Sequence, residues 1–262
     1  MFVPLKEADS VKWSEYSLIL PAVSIGNVGQ LATDLVISAL SPSLIGFFHD
    51  ASILPVVGND AFDHNQSGKL NLSVEVYKSE EPRLIIIQKR SPVCKGYQSS
   101  YCKKLLEWIK ECGFQRVVML SSVSATDRID SQIKGSPLRY LTSSPVKDNK
   151  FEQLLWVPFE KKLYGFSNED EGVYSMPGGG ITRRFFEACC QEKVNLTVLV
   201  TFCSEGENIA DGVQLFLYLN QWINIVDKDK VEAKFAGKPS DFRIPSSWSL
   251  MFGSPILHDF IF

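Results

Sequence analysis

The chain has 262 residues, 45% of them hydrophobic and 22% charged, so it is long enough to bury a core without disulfides or metals. Its 27 basic and 30 acidic side chains give a net charge of −3, and no basic cluster stands out, which argues against nucleic acid as the main partner. No apolar run reaches the roughly 18 residues of a membrane span, and the amino terminus lacks a signal-peptide pattern. We therefore expect no membrane partner and a location in the cytoplasm or nucleus.

The first strong element is an apolar run at residues 17–23, which predicts a buried strand. A glycine-containing turn at 24–29 leads into a helix predicted for 30–40, which Pro42 ends. Strand, glycine turn and helix in this order form half of a βαβ unit.

The next part of the chain is rich in strand patterns. Two apolar runs occupy residues 44–48 and 53–57, and the polar stretch 58–69 indicates a surface loop. Alternating apolar and polar residues at 72–77 predict a half-exposed strand, whereas the continuous run at 84–87 is typical of a buried strand.

An amphipathic helix is predicted next, over residues 98–112, with Gly113 ending it. A buried strand follows at 116–120. The polar composition of 121–136 and of 143–149 predicts loops.

Three glycines at 178–180 precede a helix that extends to about residue 192, and a strand is predicted at 196–202. Capping-box spacing opens a helix predicted for 204–226. Because this helix is apolar on more than one face, it is either sandwiched within the fold or partly covered by a second protein. Residues 227–262 are loop-rich.

The alternation of strands and helices predicts a single three-layer α/β domain, with a mainly parallel sheet flanked by helices. We expect this domain to span residues 1–254, and residues 255–262 to form a docking tail at the carboxy terminus.

Two strand-to-helix junctions carry the candidate ligand chemistry, because open α/β sheets bind ligands at such junctions. The candidate pocket residues are Gly26, Asn27, Gly29, Glu205, Glu207 and Asn208. The dinucleotide and P-loop fingerprints are both incomplete. Glycines that permit a tight turn, and acids that favour a helix dipole, explain the same residues without a ligand.

Catalytic and metal-binding patterns are absent from the sequence. There is no GxSxG motif, and the three histidines, His49, His64 and His258, are scattered. The six cysteines form no CxxC pair and are expected to be buried free thiols. We expect no catalytic residue, metal or cofactor, although a nucleoside- or phosphate-handling enzyme using the glycine turns stays open as an alternative.

The carboxy terminus is unusually apolar for a chain end: Leu257, Phe260, Ile261 and Phe262 are four of the last six residues. Such a tail either packs on its own domain or inserts into a pocket of another protein, where its terminal carboxylate would meet a cation.

The ordered segments resemble those of the PAC2 family. Residues 20–35, with the sequence LPAVSIGNVGQLATDL, are similar to the opening of that family. Residues 178–181 and 204–208, together with Asp211, resemble its later segments, and the likeness extends over 17–226.

This resemblance implies a fold similar to nucleoside phosphorylases without the enzyme activity. It also implies a heterodimer with proteasome assembly chaperone 1. That pair is expected to bind proteasome α-subunits, promote α-ring assembly and prevent α-ring dimerisation. Family tails often end in a hydrophobic residue, a tyrosine and any residue. Phe260 and Phe262 match the first and last places here, but Ile261 replaces the tyrosine. The resemblance therefore implies docking by this tail more strongly than activation of the ring.

Overall fold

The fold is described by a computed structural model that covers residues 1–6, 13–63, 65, 67–145, 150–162 and 172–250. The strands are β1 (Phe2–Pro4), β2 (Ser17–Pro21), β3 (Ser43–Phe48), β4 (Val57–Asn59), β5 (Leu70–Leu72), β6 (Val74–Ser79), β7 (Leu84–Lys89), β8 (Arg116–Ser124), β9 (Leu138–Thr142) and β10 (Leu196–Cys203). The α-helices are α1 (Val28–Leu40), α2 (Gln98–Cys112), α3 (Asp130–Ile133), α4 (Lys150–Gln153), α5 (Thr182–Gln191), α6 (Ile209–Ile223) and α7 (Lys228–Phe235).

Eight strands form one sheet in the order β1-β3-β6-β7-β2-β8-β10-β9. Its centre, from β7 to β10, is parallel, and antiparallel strands extend it on both sides. Every residue of β7 and β10 is buried, as expected for parallel strands covered on both faces. Strands β4 and β5 form a separate two-stranded hairpin.

Helices cover both faces of the sheet and confirm the three-layer α/β prediction. On one face, Leu105 of α2 and Phe185 of α5 share a core with Val198 of the sheet. On the other face, Leu35 of α1 and Phe216 of α6 belong to a second core. None of the helices in the described residues is long and apolar enough to cross a membrane.

Helix α6 is sandwiched within its own fold, which was one of the two predicted explanations of its broad apolar surface. Trp222 contacts the ring of Phe151, with centroids 4.9 Å apart, and Phe216 packs against Phe242. Gly212 lets α6 approach Leu31 of α1 closely. Leu215, Phe216, Leu219 and Trp222 are buried in this way, whereas Ile209, Val213, Leu217 and Ile223 are half-buried.

The prediction of a half-exposed strand at residues 72–77 was wrong. The strand is β6, and both of its faces are largely buried. Glu75 is only 1% exposed because its carboxylate accepts hydrogen bonds from Asn71 Nδ2 at 2.9 Å, the Tyr77 hydroxyl at 2.8 Å and the Leu72 backbone N–H at 3.0 Å. A polar residue in an alternating pattern can be buried where such donors are available.

Three other boundaries differ from the prediction. The predicted loop at 121–136 contains the end of β8 and helix α3, and the loop-rich stretch at 227–262 contains α7. Helix α6 begins at Ile209, so the capping-box spacing at 204–207 does not open it. Residue Asn208 occupies the N-cap, and its side chain bonds the Ser204 carbonyl instead.

Candidate functional site

The predicted pocket lies at the carboxyl edge of the parallel strands, where β2, β8 and β10 end side by side. The loop after β2 reaches α1, and the loop after β10 reaches α6. Open α/β sheets bind ligands in the crevice at such an edge. The side chains and loops that occupy this crevice therefore decide whether a ligand can enter it.

The structure brings two of the predicted residues into direct contact. Gly26 has a φ of +64°, and a Cβ atom there would lie 2.5 Å from the side-chain amide of Asn208. Glycine is therefore required both by the left-handed backbone and by the packed amide. The Asn208 side chain donates to Asp211 Oδ2 at 2.8 Å, while its Oδ1 is buried without a hydrogen-bond partner in the described part of the chain.

Gly29 serves close packing of α1 against the sheet. A Cβ atom at this position would overlap the Leu120 carbonyl oxygen of β8. The loop of Pro177 and the three glycines that follow it packs against the ends of β2 and β8. The Ile25 N–H donates to the Gly178 carbonyl at 2.8 Å, and the Ser124 N–H donates to the Pro177 carbonyl at 2.9 Å. The glycine loop thus lies against the loop after β2.

Small hydroxyl side chains close the rest of the crevice. The hydroxyls of Ser24 and Ser122 are 2.8 Å apart, and Ser122 donates to the Ile25 carbonyl at 2.5 Å. The hydroxyls of Ser121 and Thr182 are 2.7 Å apart. Ser121, Ser122 and Thr182 are fully buried, so these groups bond one another and are not presented to a ligand.

The other three pocket residues are not brought together. Asn27, Glu205 and Glu207 all lie exposed at the surface. Asn27 has a φ of +53° and makes no side-chain cap to α1. The arrangement therefore provides neither a phosphate cradle nor a pair of carboxylates.

The histidines and cysteines were the other candidates for reactive or metal-binding groups. His49 is exposed, His64 and His258 lie outside the described residues, and no group of three or more His, Cys, Asp or Glu side chains could hold a metal in the described ranges. Burial raises the pKa of Cys112 and of Cys189 to about 12, as expected for unreactive thiols. Two cysteines depart from the buried-thiol prediction: Cys190 is exposed and Cys94 is half-buried.

Sequence reasoning missed two buried charged groups beside this edge. Asp34 of α1 pairs bidentately with Arg90, at 2.8 and 2.7 Å, and also accepts from Gln88 at 2.6 Å. Lys89 is 3% exposed and lies over the Tyr101 ring, 4.2 Å from its centroid, and burial lowers its pKa to about 8. The one sequence feature that could have indicated a buried ion pair is the position of Asp34 within an otherwise apolar helix.

The sequence also matches a known protein family. The model of the PAC2 family matches residues 18–206. The chain belongs to the PAC2 family. This membership confirms the resemblance, and the matched segment contains four of the six pocket residues: Gly26, Asn27, Gly29 and Glu205.

Among characterised relatives, Proteasome assembly chaperone 2 of Nematostella vectensis is 58% identical over 241 residues, which cover 88% of this chain and 99% of that protein. The human Proteasome assembly chaperone 2 is 38% identical over 264 residues, covering 97% of both chains.

Solved structures with the same fold include Pyrococcus furiosus PbaA, an archaeal homolog of proteasome-assembly chaperone. It has a TM-score of 0.65 and 13% identity, and the match covers 90% of this chain and 92% of that one. Pyrococcus furiosus PbaB, an archaeal proteasome activator, has a TM-score of 0.61, 14% identity, and coverage of 90% and 94%. At this identity the likeness shows a shared PAC2-type fold.

The predicted docking residues Phe260, Ile261 and Phe262 lie outside the described residues.

Proposed function

We propose that this PAC2-family chain is a proteasome assembly chaperone that acts by binding. It pairs with proteasome assembly chaperone 1, binds α-subunits, promotes α-ring assembly and prevents α-ring dimerisation. The observation that carries the proposal is the 58% identity along 99% of the length of the Nematostella chaperone. A match of this extent includes surfaces as well as the core.

The filled crevice supports binding over the alternative of a nucleoside- or phosphate-handling enzyme. Its hydroxyls are bonded to one another, and the glycine loop is hydrogen-bonded to the loop after β2 through the Ile25 N–H and the Gly178 carbonyl. We expect the purified chain to turn over no nucleoside or phosphate ester. Turnover that disappears on Asn27→Ala or Glu207→Ala, at unchanged thermal stability, would favour the enzyme.

Pairing is tested by co-expression with proteasome assembly chaperone 1. We expect a soluble complex with one copy of each subunit by analytical ultracentrifugation, and self-association of this chain when it is expressed alone. Because Phe216 and Trp222 of α6 pack within its own fold, the support for pairing comes from the family and not from that helix. A well-folded monomer that ignores the partner at micromolar concentration would contradict the heterodimer.

The tail supplies the sharpest test of α-ring binding. Deleting Phe260, Ile261 and Phe262 removes three large apolar side chains, each contributing roughly 1.5–3 kcal/mol if buried in a pocket. We expect weaker co-sedimentation with α-ring intermediates, with the heterodimer and the melting temperature unchanged. Changing the neighbouring polar residues, His258→Ala with Asp259→Ala, is the matched control. Unchanged α-ring binding by the truncated chain would reject docking by the tail.

We also propose that the chain works in both cytoplasm and nucleus. Fractionation of cells that express the tagged chain tests this, and confinement to any other compartment would contradict it.

A further inference from the structure

The hairpin of β4 and β5 carries an exposed apolar surface, here called the hairpin patch. Its members are each between 40% and 65% exposed: Leu54, Val56, Val57, Leu70 and Leu72. Val57 pairs directly with Leu72 across the hairpin, so these two side chains project from the same face.

Such a surface is expected to be covered. A two-stranded sheet is only marginally stable by itself, and clustered exposed apolar side chains mark contact surfaces. A groove of about 500 Å³ opens beside the patch and shares Leu70 with it. Ile37, Leu44 and Phe62 contribute apolar walls to this groove.

The chain leaves the described structure next to this surface. The 3-10 helix Ser246–Leu250 is attached to Ala61, whose carbonyl accepts from the Ser246 hydroxyl at 2.9 Å and from the Ser247 N–H at 3.2 Å. The Ala61 N–H donates in turn to Asn71 Oδ1 at 2.6 Å. Asn71 is the middle residue of β5, so the last described residues lie beside the hairpin.

The twelve residues that follow are mostly apolar. Their large apolar members are Met251, Phe252, Ile256, Leu257, Phe260, Ile261 and Phe262. Extended chain spans at most about 3.4 Å per residue, so the seven residues 251–257 reach about 24 Å. Each strand of the hairpin has three residues, about 10 Å, which lies well within that reach.

We propose that residues 251–257 fold back and cover the hairpin patch, with Phe252 entering the adjoining groove. Phe252 is the second residue after the anchored 3-10 helix and the first aromatic residue of the segment. Residues 260–262 then extend beyond the patch. The proposal concerns the chain by itself and does not depend on the proteasome role.

Hydrogen–deuterium exchange of the full-length chain, read by mass spectrometry, tests this. We expect amides in 251–257 to exchange at least roughly tenfold more slowly than in an isolated peptide of the same sequence. The double variant Val57→Ser with Leu72→Ser should abolish that protection. Ile133→Ser and Leu155→Ser, at residues that are 58% and 86% exposed elsewhere, are the matched controls and should leave it unchanged.

Three outcomes would overturn the proposal. They are peptide-like exchange of 251–257 in the unaltered chain, protection that survives the double variant, and patch protection that rises with protein concentration or needs an added partner. The last outcome would assign the patch to a second copy or another protein. If the double variant fails to fold, Phe252→Ser in the full chain replaces it, and faster exchange of hairpin amides 57–59 and 70–72 is then the expected result.

Discussion

Two parts of the same sheet edge contrast sharply. Where β2, β8 and β10 end, glycine and hydroxyl side chains fill the crevice, and the loop around Gly178 is bonded to the loop around Ile25. A few strands away, ahead of β6, the β4–β5 hairpin exposes a row of large apolar side chains. The position at which open α/β sheets bind ligands is closed here, and the exposed apolar side chains of the hairpin lie beside it.

The two parts differ in the polar groups and the space that they offer. A catalytic crevice needs free polar groups and room for a substrate. In this chain the hydroxyls of Ser121 and Ser122 are buried and already paired. Stability should therefore depend strongly on the closed part and weakly on the hairpin.

The largest expected effect is on the closed part. Gly29→Ala should lower the free energy of unfolding by at least about 3 kcal/mol, because its methyl group would overlap the Leu120 carbonyl of β8 and the backbone cannot easily move away. Chemical denaturation measures the loss. Gly58→Ala in the hairpin, where nothing lies within 4 Å, is the control and should be nearly neutral. Equal effects at both glycines would remove the contrast between the two regions.

A smaller but still large effect is expected for the ion pair that ties α1 to the end of β7. Asp34→Asn should cost about 3 kcal/mol, because Arg90 would be left without its carboxylate in a largely buried position. Urea denaturation at neutral pH provides the measurement. Glu232→Gln removes a solvent-exposed partner of Lys228 and should cause no measurable change. If Asp34→Asn left the free energy of unfolding unchanged, the Arg90 guanidinium would have to be solvated by water, and the ion pair would not be a buried one.

The smallest of the three effects is a pH dependence. Burial lowers the pKa of Lys89 to about 8 in the folded chain, below its ordinary value of 10.5. Above pH 8 the Lys89 side chain therefore binds more protons in the unfolded chain than in the folded chain, so its own contribution to stability should rise by about 2 kcal/mol between pH 8 and 10. The buried thiols act in the opposite direction, because burial raises the pKa of Cys112 and of Cys189 to about 12. The measurement is therefore the free energy of unfolding of the wild-type chain minus that of Lys89→Met across this pH range, with the exposed Lys103→Met as the control. A difference that does not change with pH would contradict a lowered pKa of Lys89 in the folded chain.

Most of the central architecture followed from local patterns. Apolar runs at 17–23, 84–87, 116–120 and 196–202 predicted the four parallel strands, because strands covered on both faces must be apolar throughout. The helix predicted for about 98–112 was confirmed as α2. The antiparallel edge strands β1 and β9 were missed, since short strands are defined by the partner they pair with.

The sequence by itself determined the α/β class, the family and the residues at the junctions between strands and helices. Only the tertiary structure decided what those residues do: Gly26 receives the amide of Asn208, Gly29 receives the carbonyl of Leu120, and Glu205 lies at the surface. The same holds for Glu75, whose burial depends on donors from Asn71 and Tyr77. A glycine or a carboxylate in a sequence is compatible with several roles. The atoms that contact it from distant parts of the chain determine which role it has in the fold.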